Sequence, residues 1–179
     1  MTPARLHITG ASCTGTTTLG AALALRLGVP HLDTDDYYWA PTDPPFTTKR
    51  PPKDRVRLIQ ADQAMGGWVL SGSLMSWGEP ALAHCEMILF LTAPWEVRHA
   101  RLVAREQARF GDRIAPDGDM HTIHTGFLDW ASRYDDPAFT GRSRARHEDW
   151  LSRQTAPILR LDATRSPDEL IGDALGAPL

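Results

Sequence analysis

Apolar positions recur along this chain with two different periods. Short runs of strand length and composition are Leu6-His7-Ile8-Thr9, Trp68-Val69-Leu70, Met87-Ile88-Leu89-Phe90-Leu91 and Pro157-Ile158-Leu159-Arg160-Leu161-Asp162. A fifth, His31-Leu32-Asp33-Thr34-Asp35-Asp36, reads as a short strand ending in acids. Met87–Leu91 is apolar throughout, which predicts a central strand buried on both faces. Between these runs the spacing changes to three and four, predicting helices over 19–27, 54–65, 94–110 and 120–133, another starting near Arg142, and a last one capped by Ser166. Strand followed by helix, repeated along the chain, is the pattern of an α/β domain with a parallel sheet.

The polar positions sharpen this reading. Gly28-Val29-Pro30 and Gly66-Gly67 stop the first two long helices. On 54–65, Val56, Ile59 and Gln63 share a side; on 120–133, Ile123, Phe127 and Trp130 are expected toward the core. Arg98, Arg101, Arg105 and Arg109 recur at offsets of three and four and form one basic stripe, the usual pattern of a solvated face. No internal repeat, low-complexity tract or domain boundary interrupts the pattern, so residues 1–179 are expected to form one domain.

The first strand runs into Gly10-Ala11-Ser12-Cys13-Thr14-Gly15-Thr16-Thr17-Thr18, and a helix follows. This matches the phosphate-binding loop Gly-x-x-x-x-Gly-Lys-[Ser/Thr] everywhere except at the lysine, which is Thr16 here. Glycines let a ligand approach the backbone, and successive N–H groups at a helix N-terminus favour a phosphate. Gly10, Ser12, Cys13, Thr14, Gly15, Thr16, Thr17 and Thr18 are therefore candidate nucleotide-phosphate contacts, with Thr17 placed for Mg²⁺. The competing reading is a plain Gly/Ser/Thr turn that caps a helix.

Other candidate chemistry lies at expected strand ends. Asp33 and Asp35, on one face of an extended strand, would hold Mg²⁺ and take a proton from a substrate hydroxyl. Gly72, within Ser71-Gly72-Ser73, either lets substrate come close or makes a turn. The stretch 37–52 contains five prolines, several aromatics, Lys49 and Arg50, which suits a binding loop or a stiff connector. Arg105, Arg109 and Arg113 lead into or lie within the segment 111–119, and Arg142 opens a second basic segment; all are candidate phosphate clamps. His121 and His124 have no third partner at metal-ligand spacing.

Composition narrows the classes. The chain has 179 residues, 42% hydrophobic and 23% charged, with a formal charge of −3, and this argues against bulk nucleic-acid binding. Two cysteines, Cys13 and Cys85, are too few for a disulfide framework. No signal-peptide pattern and no long apolar run are present, so a reduced cytoplasmic protein without membrane contact is expected, as monomer or homodimer.

The loop, the acids and the strand–helix alternation resemble the P-loop nucleoside-monophosphate-kinase-like group, which includes adenylate, shikimate and gluconate kinases. Bacterial adenylate-kinase-like proteins are similar over nearly the whole chain, notably across 27–36 and 41–50, at Ser71-Gly72-Ser73 and at Gly118-Asp119-Met120. The resemblance implies a three-layer fold with a five-stranded sheet ordered 2-3-1-4-5 and ATP and Mg²⁺ over the loop. It also implies a segment 36–67 covering a nucleotide or small-molecule acceptor, and a lid at 111–119. Asp33 is then the magnesium-shell acid and Asp35 the acceptor-binding acid or base. If the absent lysine is replaced, the candidates are Lys49 and Arg50 on the proline-rich loop or the arginines from Arg105 to Arg113, and the lid arginines Arg109 and Arg113 are favoured. A nucleotide-binding module or slow NTPase is the competing function, and a nucleic-acid-end kinase is disfavoured by the charge.

Overall fold

The computed structural model describes residues 4–177. Five parallel strands, β1 (Arg5–Gly10), β2 (His31–Asp33), β3 (Trp68–Ser71), β4 (Met87–Thr92) and β5 (Ile158–Asp162), form one sheet in the order β2-β3-β1-β4-β5. β1 lies between β3 and β4, with Leu6 beside both Val69 and Met87. The helices are α1 (Thr16–Leu27), α2 (Thr34–Tyr38), α3 (Pro52–Gln63), α4 (Trp95–Phe110), α5 (His121–Ser132), α6 (Arg144–Ser152) and α7 (Pro167–Gly176).

Side-chain alternation divides the core into two layers. Leu6 and Ile8 of β1 and Met87, Leu89 and Leu91 of β4 pack with Leu19 and Leu23 of α1 and Leu170, Ile171 and Ala174 of α7. The opposite face puts Leu70, Ile88 and Phe90 against Ile59 of α3 and Trp150 and Leu151 of α6. His7 and Thr9 also turn this way, and both are fully buried.

Local chemistry sets the ends of the elements. Gly28 ends α1 at a φ of 66°, its N–H reaching the carbonyls of Ala24 and Leu25. Ser166 and Glu169 cap α7 reciprocally.

Several sequence expectations are corrected. β2 stops at Asp33, because the Asp33 carboxylate accepts from the Asp35 N–H and starts α2. Asp35 therefore lies in a first helical turn and does not share a strand face with Asp33. α3 begins at Pro52, and it buries Arg55 beside Ile59, where Val56 was expected. The α4 stripe is not wholly solvated: Arg98 is fully buried, donating to the carbonyls of Ala93 and Ala131 and to Asp135. Ile123, Phe127 and Trp130 line a cleft, while α5 turns His124 and Ala131 inward. No helix of the described residues is long and apolar enough to cross a membrane.

Candidate active site

A cleft of about 1800 Å³ runs along the carboxyl ends of the strands, where a parallel sheet with crossover helices leaves room for ligands. Gly10 through Thr18 line it. Gly15 sits at a φ of 95°, and a Cβ built there would meet nothing within 4 Å. The space above the loop is therefore open, and the backbone needs the left-handed region that glycine enters freely. Among the described residues, the N–H groups of Cys13, Gly15, Thr16, Thr17 and Thr18 find no acceptor within the protein, whereas Thr14 N–H bonds the Ala11 carbonyl. Several unsatisfied donors at the N-terminus of α1 suit a phosphate.

Thr17 and Asp33 come together: the Thr17 hydroxyl donates to the Asp33 carboxylate at 2.7 Å. A hydroxyl and a carboxylate oxygen in contact are the hard ligands that Mg²⁺ prefers. The other Asp33 oxygen accepts from the Asp35 N–H at 3.0 Å, so this carboxylate is oriented from two sides. Asp35 lines the same wall, and burial first and the Asp33 charge second push its pKa up, against the pull of Arg142, Arg105 and Arg109. Gly72 follows β3 at a φ of 108°, and a Cβ there would fall 1.8 Å from the Thr34 hydroxyl. Only glycine fits, which keeps the β2 and β3 ends close together.

The cations divide by what they hold. Lys49 faces the cleft, 5.7 Å from the Tyr38 ring and 5.9 Å from the Trp39 ring. Arg50 turns away and donates to the carbonyls of Asp36, Tyr37 and Trp39, pinning the start of the proline-rich loop. Arg105 lines the cleft paired with Glu106 at 3.2 Å. Arg109 lines it with no ion pair among the described residues, 5.9 Å from the Phe46 ring. Arg113 is not on the wall: its guanidinium bridges Asp119 at 2.7 Å and Asp43 at 2.9 Å. Arg142 donates to the Ser12 hydroxyl at 2.8 Å and stacks 5.0 Å from the Trp130 ring. No group of three or more metal-ligating His, Cys, Asp or Glu side chains occurs among the described residues, and His121 is bound to the Ile114 carbonyl.

Sequence reasoning missed the support behind the loop. His147, fully buried, joins Thr9 at 3.0 Å through Nε2 and the Tyr134 hydroxyl at 3.1 Å through Nδ1. Burial, with Arg142 nearby, pushes its pKa down to about 3; burial brings that of His7 down to about 4. Both rings are thus neutral at ordinary pH. A histidine between Leu6 and Ile8, in a strand buried on both faces, was the available signal.

Compared with known proteins, the chain is 39% identical over 171 residues to the uncharacterized protein YqaC of Bacillus subtilis (strain 168), spanning 95% of this chain and 94% of that one. This chain belongs to the YqaC family. No family model matches it. Among solved structures, the YqaC-family chain superposes on shikimate kinase from Aquifex aeolicus with a TM-score of 0.55 at 16% identity, covering 96% of this chain and 94% of that one. A gluconokinase from Sinorhizobium meliloti 1021 gives 0.50 at 14% identity, with 97% and 90% covered. A sugar kinase from Janibacter sp. HTCC2649 gives 0.50 at 16%, with 97% and 93% covered. The sheet order and these superpositions establish the three-layer fold of P-loop small-molecule kinases.

Proposed function

We propose that this chain is an ATP-dependent kinase that transfers a phosphoryl group to a nucleotide or a small hydroxylated metabolite. The observation that carries the reading is the 2.7 Å contact between Thr17 and Asp33 beside a loop of unsatisfied N–H donors. In this reading the loop amides of Cys13 and of Gly15 through Thr18 grip the donor phosphates. Thr17 and Asp33 are the residues that would hold Mg²⁺, which when bound neutralises phosphate charge. Asp35 accepts the proton from the acceptor hydroxyl as its oxygen bonds to phosphorus; the bond to the leaving diphosphate oxygen breaks, and ADP departs. Lys49 and Arg109 line the cleft where the acceptor would lie, beside the aromatic rings of Tyr38, Trp39 and Phe46.

ATP consumption with and without a panel of sugars, polyols, nucleosides and nucleotides tests this. Stimulation by one acceptor class is expected. Turnover that no acceptor stimulates would replace the kinase with a slow NTPase or binding module, a reading favoured by Thr16, whose side chain brings no charge to the loop.

A further inference from the structure

We propose that Arg142, from a fixed wall of the cleft, supplies the positive charge that Thr16 lacks, facing the part of the loop that takes the β- and γ-phosphates. The inference rests on the nucleotide-binding half of the kinase reading and revises the expectation that lid arginines fill this role.

The other cations are held elsewhere. Arg113 is clasped by two carboxylates and Arg105 is paired with Glu106. Arg101 donates to the Ala163 carbonyl at 2.8 Å. Arg109 and Lys49 have no ion pair among the described residues but stand over the rings of the segment 36–67. Arg142 alone among these donates to a phosphate-loop side chain, with Nη2 at 2.8 Å from the Ser12 hydroxyl.

Its hydrogen bonding is incomplete. The Arg142 Nε is sealed from solvent and has no acceptor. A buried guanidinium N–H without a partner costs free energy, so the protein carries this arginine at an expense that its contact with Ser12 alone does not offset. The charge has no ion-pair partner among the described residues: burial lowers the Arg142 pKa, and the nearby Asp35 charge opposes this most. Arginine stays protonated through such a shift, so the site presents a permanent cation.

The mount is rigid and shared with the loop. Ser143 follows Arg142 and caps α6 by accepting from the Arg146 N–H. One turn on, His147 is bound to Thr9, the residue before Gly10. The cation and the phosphate loop therefore hang from the same strand end, and no lid movement is needed to bring them together. His147 is a positioning residue in this arrangement.

The test is nucleotide affinity, read by calorimetry and by tryptophan fluorescence, with Mg²⁺ and separately with EDTA. Arg142→Ala should weaken ATP binding about tenfold or more while AMP binding changes less than about threefold. Arg142→Gln serves if the alanine variant does not fold, and Arg142→Lys should retain most of the affinity. Thr16→Lys should restore much of the loss in the double variant, and Arg113→Ala should leave ATP affinity within about threefold. ATP affinity unchanged in Arg142→Ala and Arg142→Gln, or strict additivity with Thr16→Lys, overturns the assignment. A wild-type chain that binds no ATP overturns both the assignment and the kinase reading. ATP binding that depends on Arg142, without acceptor-stimulated turnover, upholds the assignment and removes the kinase.

Discussion

The two faces of the sheet are packed by different rules. Toward α1 and α7 the strands present Leu6, Ile8, Leu89 and Leu91, and the layer is almost wholly aliphatic. Toward α3 and α6 the same strands present His7, Thr9 and Phe90, which meet the rings of His147 and Trp150. Apolar burial is strong but has no direction, so the first face holds elements together without aiming any side chain. Buried hydrogen bonds have direction, and the second face fixes α6, and with it Arg142, relative to the phosphate loop.

The comparison breaks first under truncation. Leu89→Ala should cost about 2–5 kcal/mol of stability, read by denaturant unfolding, while ATP affinity of the folded fraction stays unchanged. An affinity loss matching that of Arg142→Ala would show that the aliphatic face also aims the site.

Acid should act strongly on the other face. His7 and His147 have folded pKa values near 4 and 3, below the ordinary 6.5, so below that pH the unfolded chain binds more protons. Their stabilisation is complete above about pH 6.5 and lost as the pH falls toward the folded values, roughly 2 kcal/mol for each ring by pH 5. Unfolding midpoints from pH 8 to 5 check this, and His7→Leu should flatten the slope. An unchanged slope in that variant would remove His7 from the account.

Smaller effects sharpen the contrast. His147→Leu leaves the Thr9 and Tyr134 hydroxyls without their partner and should cost about 1–3 kcal/mol. ATP affinity should fall with it, and His147→Gln should recover part of both. Stability lost with affinity intact would reduce His147 to a packing residue. Least of all, Asp43→Asn should leave the unfolding midpoint unmoved, because the Arg113 pair it weakens is exposed and screened.

What was legible in the sequence was local. The phosphate loop, the apolar β4 and the strand–helix alternation rest on spacings of a few residues, and the sheet order followed from the resemblance these carried. The start of α2 was not legible, because a single side-chain bond from Asp33 to the Asp35 N–H decides between extended and helical chain. Arg98 read as solvated because periodicity gives a face but not what covers it; here the Ala131 carbonyl and Asp135 do. At the site, the loop and Asp33 could be named from pattern, while the Thr9–His147 contact joins residues 138 positions apart and leaves no local trace.

The Arg113 clasp has a consequence for the order of events in the proposed reaction. One guanidinium ties Asp119 to Asp43, which lies 70 residues from it in the chain, and so links the stretch after α4 to the proline-rich loop. In the kinase reading these two stretches would cover the substrates, and one fastening would give them a single door. Acceptor entry and nucleotide release would then be gated by one opening, not by two independent ones, and its frequency would rise with ionic strength as the exposed pair is screened.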